Sequence, residues 1–151
     1  MIYKIFSKQS QKDLKEIAKI TELCNLNPMG LNDFQTMLDS PVVHCLIIAL
    51  PFISKKVLGY VLYWVVPPEV EIYDIVVHPC FQGIGLGSAL LRKVFSLSRT
   101  SNVNKIYLEV RRSNIKAIKF YEKHGFKTTW IRKKYYSNNK EDALIMCCFL
   151  K

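Results

Sequence analysis

Acidic residues are scarce: 12 Asp and Glu stand against 22 Lys and Arg, a formal charge of +10. Such a balance raises the local concentration of anionic partners. The basic residues are dispersed, however, and Arg111-Arg112 and Arg132-Lys133-Lys134 are only short clusters. With no arginine-rich tail or aromatic-interleaved basic stripe, no direct nucleic-acid binding is expected. Long apolar runs are missing too. The longest mainly apolar stretch, residues 42–53, is interrupted by His44 and Pro51 and falls short of the ~18 residues of a membrane span. It reads as a buried strand, and no membrane partner is expected. Met1-Ile2-Tyr3-Lys4 lacks the basic-then-apolar layout of a signal peptide, which predicts a cytoplasmic location.

Cysteine patterning is equally bare. The five cysteines are odd in number, none forms a Cys-x-x-Cys, and Cys147 and Cys148 are adjacent. That excludes a disulfide framework and argues for reduced thiols. His44, His78 and His124 are too scattered to hold a metal, so none is expected. Cys80 has no neighbouring histidine base in a recognisable arrangement and reads as a passive thiol. There is no internal repeat, low-complexity tract or linker, and 151 residues suit one domain with a real core, residues 1–151.

What the chain does have is an ordered set of elements. Ile2–Phe6 predicts a short strand. Ser10 caps a helix with Asp13 at its third position, whose inner face carries Leu14, Ile17, Ala18, Thr21 and Cys24. A second short helix runs from about Asn32 to Leu38. Strands follow at His44–Leu50, Val57–Val65 and Val70–Val77, then a glycine-rich turn and a helix to about Arg99. Lys105–Val110 is a further strand, Asn114 caps a helix reaching His124, and Lys127–Arg132 and Ala143–Leu150 close the chain as a pair. Gly125 suits the left-handed position just after a helix, with Phe126 folding back. The order β-α-α-β-β-β-α-β-α-β-β predicts a mixed α/β (α+β) sandwich around a central sheet.

The most informative segment is Ile75-Val76-Val77-His78-Pro79-Cys80-Phe81-Gln82-Gly83-Ile84-Gly85-Leu86-Gly87-Ser88. A β-branched run ends at a proline, and a glycine turn opens straight into an amphipathic helix. Unpaired N–H groups then point outward at a helix N-terminus, where the dipole also favours negative charge. Glycines allow a bulky anion close to the main chain, so the segment reads as a diphosphate cradle. It is not the dinucleotide fingerprint, because Gln82-x-x-Gly85-x-Gly87 has the wrong order and lies mid-chain. It is not a P-loop either, since no Lys-Ser/Thr follows Gly87.

A second segment, Leu108-Glu109-Val110-Arg111-Arg112-Ser113-Asn114, continues through Ala117-Ile118 and Tyr121-Glu122 to Gly125-Phe126. Alternation sends Ile106, Leu108 and Val110 to one face of a strand and Tyr107 and Glu109 to the other. A carboxylate in mid-strand is expensive unless paired, for instance with Arg111, or solvated. Tyr121 shares the core-facing side of the next helix with Ala117 and Ile118. Glu109 and Tyr121 could therefore flank one cleft. Alone, each residue also reads as structural: a paired strand carboxylate and a packed phenol.

Together these segments resemble the GNAT superfamily of acyl-CoA-dependent N-acetyltransferases. Its signature Gln/Arg-x-x-Gly-x-Gly/Ala is matched by Gln82, Gly85 and Gly87. The Leu-Glu-Val-Arg-x-Ser-Asn run and the ending Arg132-Lys133-Lys134-Tyr135-Tyr136…Glu141-Asp142-Ala143 resemble more specifically its RimI type, the ribosomal-protein-alanine N-acetyltransferases. The resemblance implies the acyl-CoA N-acyltransferase fold, with a mostly antiparallel sheet flanked by about four helices. It implies acetyl-CoA as co-substrate, with Ile75, Val76 and Val77 beside the pantetheine arm. Main-chain amides of Gly83, Ile84, Gly85, Leu86, Gly87 and Ser88 would hold the diphosphate, and Asn114 would also contact the cofactor. Glu109 matches the general base, acting through water, and Tyr121 the general acid; the Val77 amide or a neighbour would stabilise the oxyanion. The acceptor it implies is a protein N-terminus, foremost that of a ribosomal protein. Another N-terminus, a small-molecule amine, or a non-catalytic acyl-CoA-binding module are the alternatives. Two departures stand out: Asn27-Pro28-Met29-Gly30-Leu31 keeps the proline of that type's Phe-Pro-Trp motif without its aromatics, and Gly83 replaces a common basic residue.

Overall fold

The computed structural model describes residues 4–6, 10–24, 30–50 and 56–150, with only the backbone of 4–6. Its strands are β1 (Lys4–Phe6), β2 (Val43–Leu50), β3 (Lys56–Val66), β4 (Glu69–Val77), β5 (Lys105–Arg111), β6 (Lys127–Arg132) and β7 (Ala143–Phe149). Its helices are α1 (Gln11–Cys24), α2 (Leu31–Leu38), α3 (Leu86–Arg99) and α4 (Ile115–Lys123). The strands form one seven-stranded sheet in the order β1-β2-β3-β4-β5-β7-β6. Every neighbouring pair is antiparallel except β4 and β5. The expected mixed, mostly antiparallel sheet with four helices is what forms.

Alternation along the strands builds two cores. On one face Leu46, Val61, Val70, Ile72, Ile106 and Leu108 meet Leu86, Leu90, Leu91 and Val94 of α3. On the other, Ile47, Tyr60, Leu62 and Val76 meet Leu14, Ile17 and Ile20 of α1 and Phe34 of α2. The helix starts as its sequence demands: the Asp13 carboxylate accepts from the Ser10 N–H at 2.7 Å and from its hydroxyl at 2.8 Å. Two members of the expected inner face of α1 do not hold. Ala18 is half-buried and Cys24 is exposed, whereas Ile20 is buried. The last turn of α1 runs past the covered part of the sheet to the end of β4, where the Cys24 thiol lies 3.5 Å from the Val77 carbonyl.

The feature that shapes the site is in β4. Leu62 faces Asp74 while Tyr63 faces Ile72, so Tyr73 is an extra residue on the β4 side. Such a bulge reverses which face the following side chains take. Val70 and Ile72 point to the α3 side; after the bulge, Val76 joins the α1 side. Nearby the parallel β4–β5 ladder stops, its last pair being Ile72 and Leu108. Beyond it β4 keeps β3 as its partner through Val77, and its β5-facing edge stands open.

Gly59 pairs with Val77 beside this opening. A Cβ on Gly59 would lie 2.5 Å from the Val76 carbonyl oxygen and 3.1 Å from the Val77 Cα. Backbone cannot yield as a side chain does. Gly59→Ala should therefore cost roughly 1–3 kcal/mol, the usual penalty of overpacking, read as a fall of several degrees in Tm. A variant melting like the parent would contradict this close approach.

Candidate active site

Where β4 and β5 part, a cleft of about 650 Å³ opens. Its floor is the end of β4, where Ile75, Val76 and Val77 line it. A short 3-10 turn, Pro79–Phe81, then leads into the glycines. Gly83 and Gly85 have φ of +81° and +91°, left-handed values that favour glycine. A Cβ at either would meet nothing within 4 Å, so conformation and not space requires them. Gly85 caps α3 without help from any side chain. The first N–H groups of that helix have no intrahelical acceptor and face the cleft together with Gly83, Leu86, Gly87 and Ser88. The Ile84 side chain is 57% exposed and is not among the lining residues, since the two left-handed glycines on either side turn it outward; the expectation for Ile84 concerns its main-chain amide.

The opposite wall comes from α4. The Asn114 side chain accepts from the Ala117 N–H at 3.1 Å while also lining the cleft, so capping and cleft placement coexist. Gln82 straps the walls together. Its Nε2 donates to the Val77 carbonyl at 3.0 Å, and the Lys116 ammonium donates to its Oε1 at 2.6 Å.

Tyr121 is 7% exposed and lines the same cleft. Its position is fixed by how α4 ends. Gly125 takes φ +88°, the Phe126 N–H returns to the Tyr121 carbonyl at 3.1 Å, and the Gly125 N–H returns to Glu122 at 3.0 Å. This is the Schellman pattern. It folds Phe126 back so that its ring meets Tyr121 edge-on at 5.6 Å. Burial, and then the charge of Asp74, push the Tyr121 phenol well above its ordinary pKa. A phenol held so firmly protonated is a donor, not a base.

Glu109 does not share that wall. It follows Leu108, the last β5 residue paired with β4, but alternation sends it to the other face, and it is not among the lining residues. Its partner is not Arg111 but Arg132 of β6, at 2.6 Å, and the Tyr135 hydroxyl also bonds it. Arg111 is engaged elsewhere, with Glu141 at 3.2 Å and 3.7 Å over the Tyr136 ring. Glu141 in turn accepts from the Ser113 N–H at 2.7 Å. Hydrogen bonds from Ser113, Asn139 and Arg111 hold its carboxyl down at about 2. The Glu141-Asp142 block thus pins the segment that launches α4.

Among the cleft residues not expected from the sequence, Asp74 is the buried carboxylate. Asp74, turned by the bulge, lies deep in the protein yet keeps part of its surface open to the cleft. Its carboxylate accepts from the Tyr60 hydroxyl at 2.8 Å. That oxygen lies 2.9 Å from the Thr21 hydroxyl, which donates to the Ile17 carbonyl at 2.9 Å. Burial pushes Asp74 up to about 6, against the Tyr60 hydroxyl and the Ile75 N–H, which favour the ionised form. The signal was available: a carboxylate in the otherwise apolar run Ile72-Tyr73-Asp74-Ile75-Val76 is as costly as Glu109 in its strand.

A β4 that parts from β5, ending in a glycine turn over a helix N-terminus, is the architecture of an acyltransferase fold. The Escherichia coli ribosomal-protein-S18-alanine N-acetyltransferase structure superposes with a TM-score of 0.88 at 28% identity, covering 99% of this chain and 95% of that one. The Ard1 structure from Thermoplasma volcanium gives 0.87 at 25%, covering 99% and 98%. The acetyltransferase (GNAT) family model matches residues 12–126, and the chain belongs to that family: it is an N-acetyltransferase. A Bacillus subtilis relative, provisionally named [ribosomal protein bS18]-alanine N-acetyltransferase, is 32% identical over 136 residues, 89% of this chain and 88% of that protein. The Escherichia coli enzyme of that name is 39% identical over 95 residues, 62% of this chain and 64% of its own length.

The shift of Asp74 has a stability consequence. A carboxyl raised from 3.8 to about 6 on folding holds more protons in the native state between those values, so stability falls as pH rises through them. Asp74→Asn removes that dependence. Its Tm should exceed the parent's at pH 8 and the gap should close towards pH 4; a gap independent of pH would contradict the burial of this charge.

Proposed function

We propose that this chain, as a single N-acetyltransferase domain, transfers the acetyl group of acetyl-CoA to the N-terminal α-amine of a protein. The acceptor favoured is the N-terminal alanine of a ribosomal protein. The observation that carries the reading is the open edge of β4 continuing into uncapped α3 amides, together with two relatives named for the bS18 reaction. The pantetheine amides would pair with the free main-chain groups of Ile75, Val76 and Val77, much as an added strand would. The diphosphate would sit on the amides of Gly83 to Ser88, Ile84 contributing through its main chain, and Asn114 would close over it. Lys116 stands on the same cleft and supplies the positive charge that Gly83 does not. No metal is needed for any step. A ribosomal substrate agrees with a cytoplasmic location, and among the described residues no helix is long and apolar enough to cross a membrane.

An α-amine has a pKa of about 7.7–8.0 and arrives mostly protonated at neutral pH. Glu109, held by Arg132 at 2.6 Å and reached through water where the strands part, takes that proton. The freed amine attacks the thioester carbonyl, and an amide at the end of β4, Val77 or a neighbour, receives the oxyanion. Tyr121 gives its proton to the departing thiolate.

The missing aromatics of the 27–31 segment favour a second reading, another amine as acceptor; residues 27–29 lie outside the described residues. Thiol release from acetyl-CoA, measured with an Ala-starting bS18 N-terminal peptide beside a polyamine and an aminoglycoside, separates the two. Selective turnover of the peptide is expected, and preference for either small amine would contradict the first reading.

Tyr121→Phe should lower kcat roughly 10²- to 10⁴-fold, the range of a lost general acid, with acetyl-CoA affinity little changed. Unaltered turnover would remove Tyr121 from the mechanism. Glu109→Gln should lose most activity at low pH and recover as pH passes the amine's own pKa; a deficit equal at all pH values would contradict its role as base.

A further inference from the structure

Acetyl transfer to an amine releases two protons from the acceptor nitrogen. One leaves the ammonium before attack. The other leaves after the C–N bond forms, because the nitrogen is then cationic. Glu109 and Tyr121 account for the first proton and for the one given to sulfur, which leaves the second without an acceptor. Resting on the proposed acetylation, we propose that Asp74 is a further catalytic residue, the carboxylate that contacts the acceptor nitrogen and takes its second proton as the amide forms.

The geometry carries this assignment. Asp74 lines the cleft with Tyr121 and with Ile75 to Val77, two residues beyond the last β4–β5 pair. The Tyr73 bulge is what turns it there. Among the described residues no Lys or Arg lies within ion-pair distance of it, unlike Glu109 with Arg132. Tyr60 from β3 fixes one oxygen at 2.8 Å, and Thr21 of α1 fixes Tyr60. The titratable groups around Asp74 are Tyr60 of β3, Tyr73 of β4, Cys24 of α1 and Tyr121 of α4, all of which respond to its charge. Lys116 and Lys123 line the same cleft without an ion pair to Asp74 among the described residues.

The amine lone pair forms the C–N bond while the carbonyl π pair moves to oxygen. Asp74 removes one proton from the cationic nitrogen, the oxygen pair re-forms the carbonyl, and the C–S bond breaks with its pair on sulfur. Tyr121 protonates that sulfur, and the proton on Asp74 returns to the Tyr121 phenolate, so both groups regain their resting forms. The net products are the acetamide, the thiol and one proton delivered to solvent by way of Glu109. The two buried groups are also coupled in the useful direction. The Asp74 charge opposes ionisation of Tyr121, and that opposition vanishes when Asp74 accepts its proton, just as Tyr121 must give one up.

The test is the pH dependence of kcat at saturating acetyl-CoA and acceptor peptide. The parent should show an acid limb with a midpoint near about 6, where burial puts Asp74. Asp74→Asn should abolish that limb and lower kcat roughly 10²- to 10⁴-fold, with calorimetric affinity for acetyl-CoA retained. Its deficit should persist above the amine's pKa, because the second proton must leave at any pH; the Glu109→Gln deficit should shrink there. Tyr60→Phe removes a donor that favours the ionised form, so the limb should move to higher pH. This second variant decides the matter if Asp74→Asn fails to fold. Near-parental kcat with the limb intact in Asp74→Asn, a rise in KM alone, or an unmoved limb in Tyr60→Phe would each overturn the proposal. Turnover of a polyamine in place of the peptide would refute the acceptor reading while leaving the limb readable on that amine. No turnover of any amine by the parent would overturn both.

Discussion

Everything in this site depends on β4 leaving β5 after Ile72 and Leu108. A buried strand edge without a partner is costly, since each unpaired amide or carbonyl loses its water without gaining a bond. The protein keeps that edge tolerable by leaving it open to a cleft instead of sealing it. β4 cannot drift after it parts, because β3 holds it through Val77 on the other side and Gly59 lets the two backbones come unusually close. The result is a rigid half-ladder, offering main-chain groups along one edge and flowing into the free amides of α3.

Around that opening the chain handles two carboxylates by opposite means. Glu109 is kept near solvent and matched to Arg132 and Tyr135. Asp74 is buried without a matching cation among the described residues and is steadied by a neutral hydroxyl chain from Tyr60 to Thr21. The first arrangement is an ion pair; in the second, burial keeps the charge and its neutral form close in free energy. Tyr121 sits on the same cleft as the second, held by the turn that ends α4. Structural and chemical needs meet in these few residues. The bulge that places Asp74 also ends the ladder, and the glycine that ends α4 also orients the phenol.

Much of this was legible in the sequence, for physical reasons. Long stretches of period 2 or 3.6, with caps at Ser10 and Asn114 and a stop at Gly125, named the elements within a residue or two. The glycine turn was readable because left-handed backbone at Gly83 and Gly85 leaves glycine little competition. The inner face of α1 was misjudged at Cys24, because periodicity says which residues align but not where the sheet beneath them ends. The joint cleft for Glu109 and Tyr121 was misjudged because alternation fixes a face, while the splay of β4 from β5 decides which faces share a space. The charge of Asp74 in an apolar run was a signal of its own, but its place in the cleft was not legible, because a bulge has no local signature. Without it, residue 74 would follow Val70 and Ile72 onto the α3 side.

The most direct test of the central idea is amide hydrogen exchange of the parent protein with and without coenzyme A. The account predicts slowed exchange at residues 75–77 and 83–88, where open main-chain donors take up the ligand, with β6 and β7 unchanged. Binding that leaves those amides as exposed as before would contradict it.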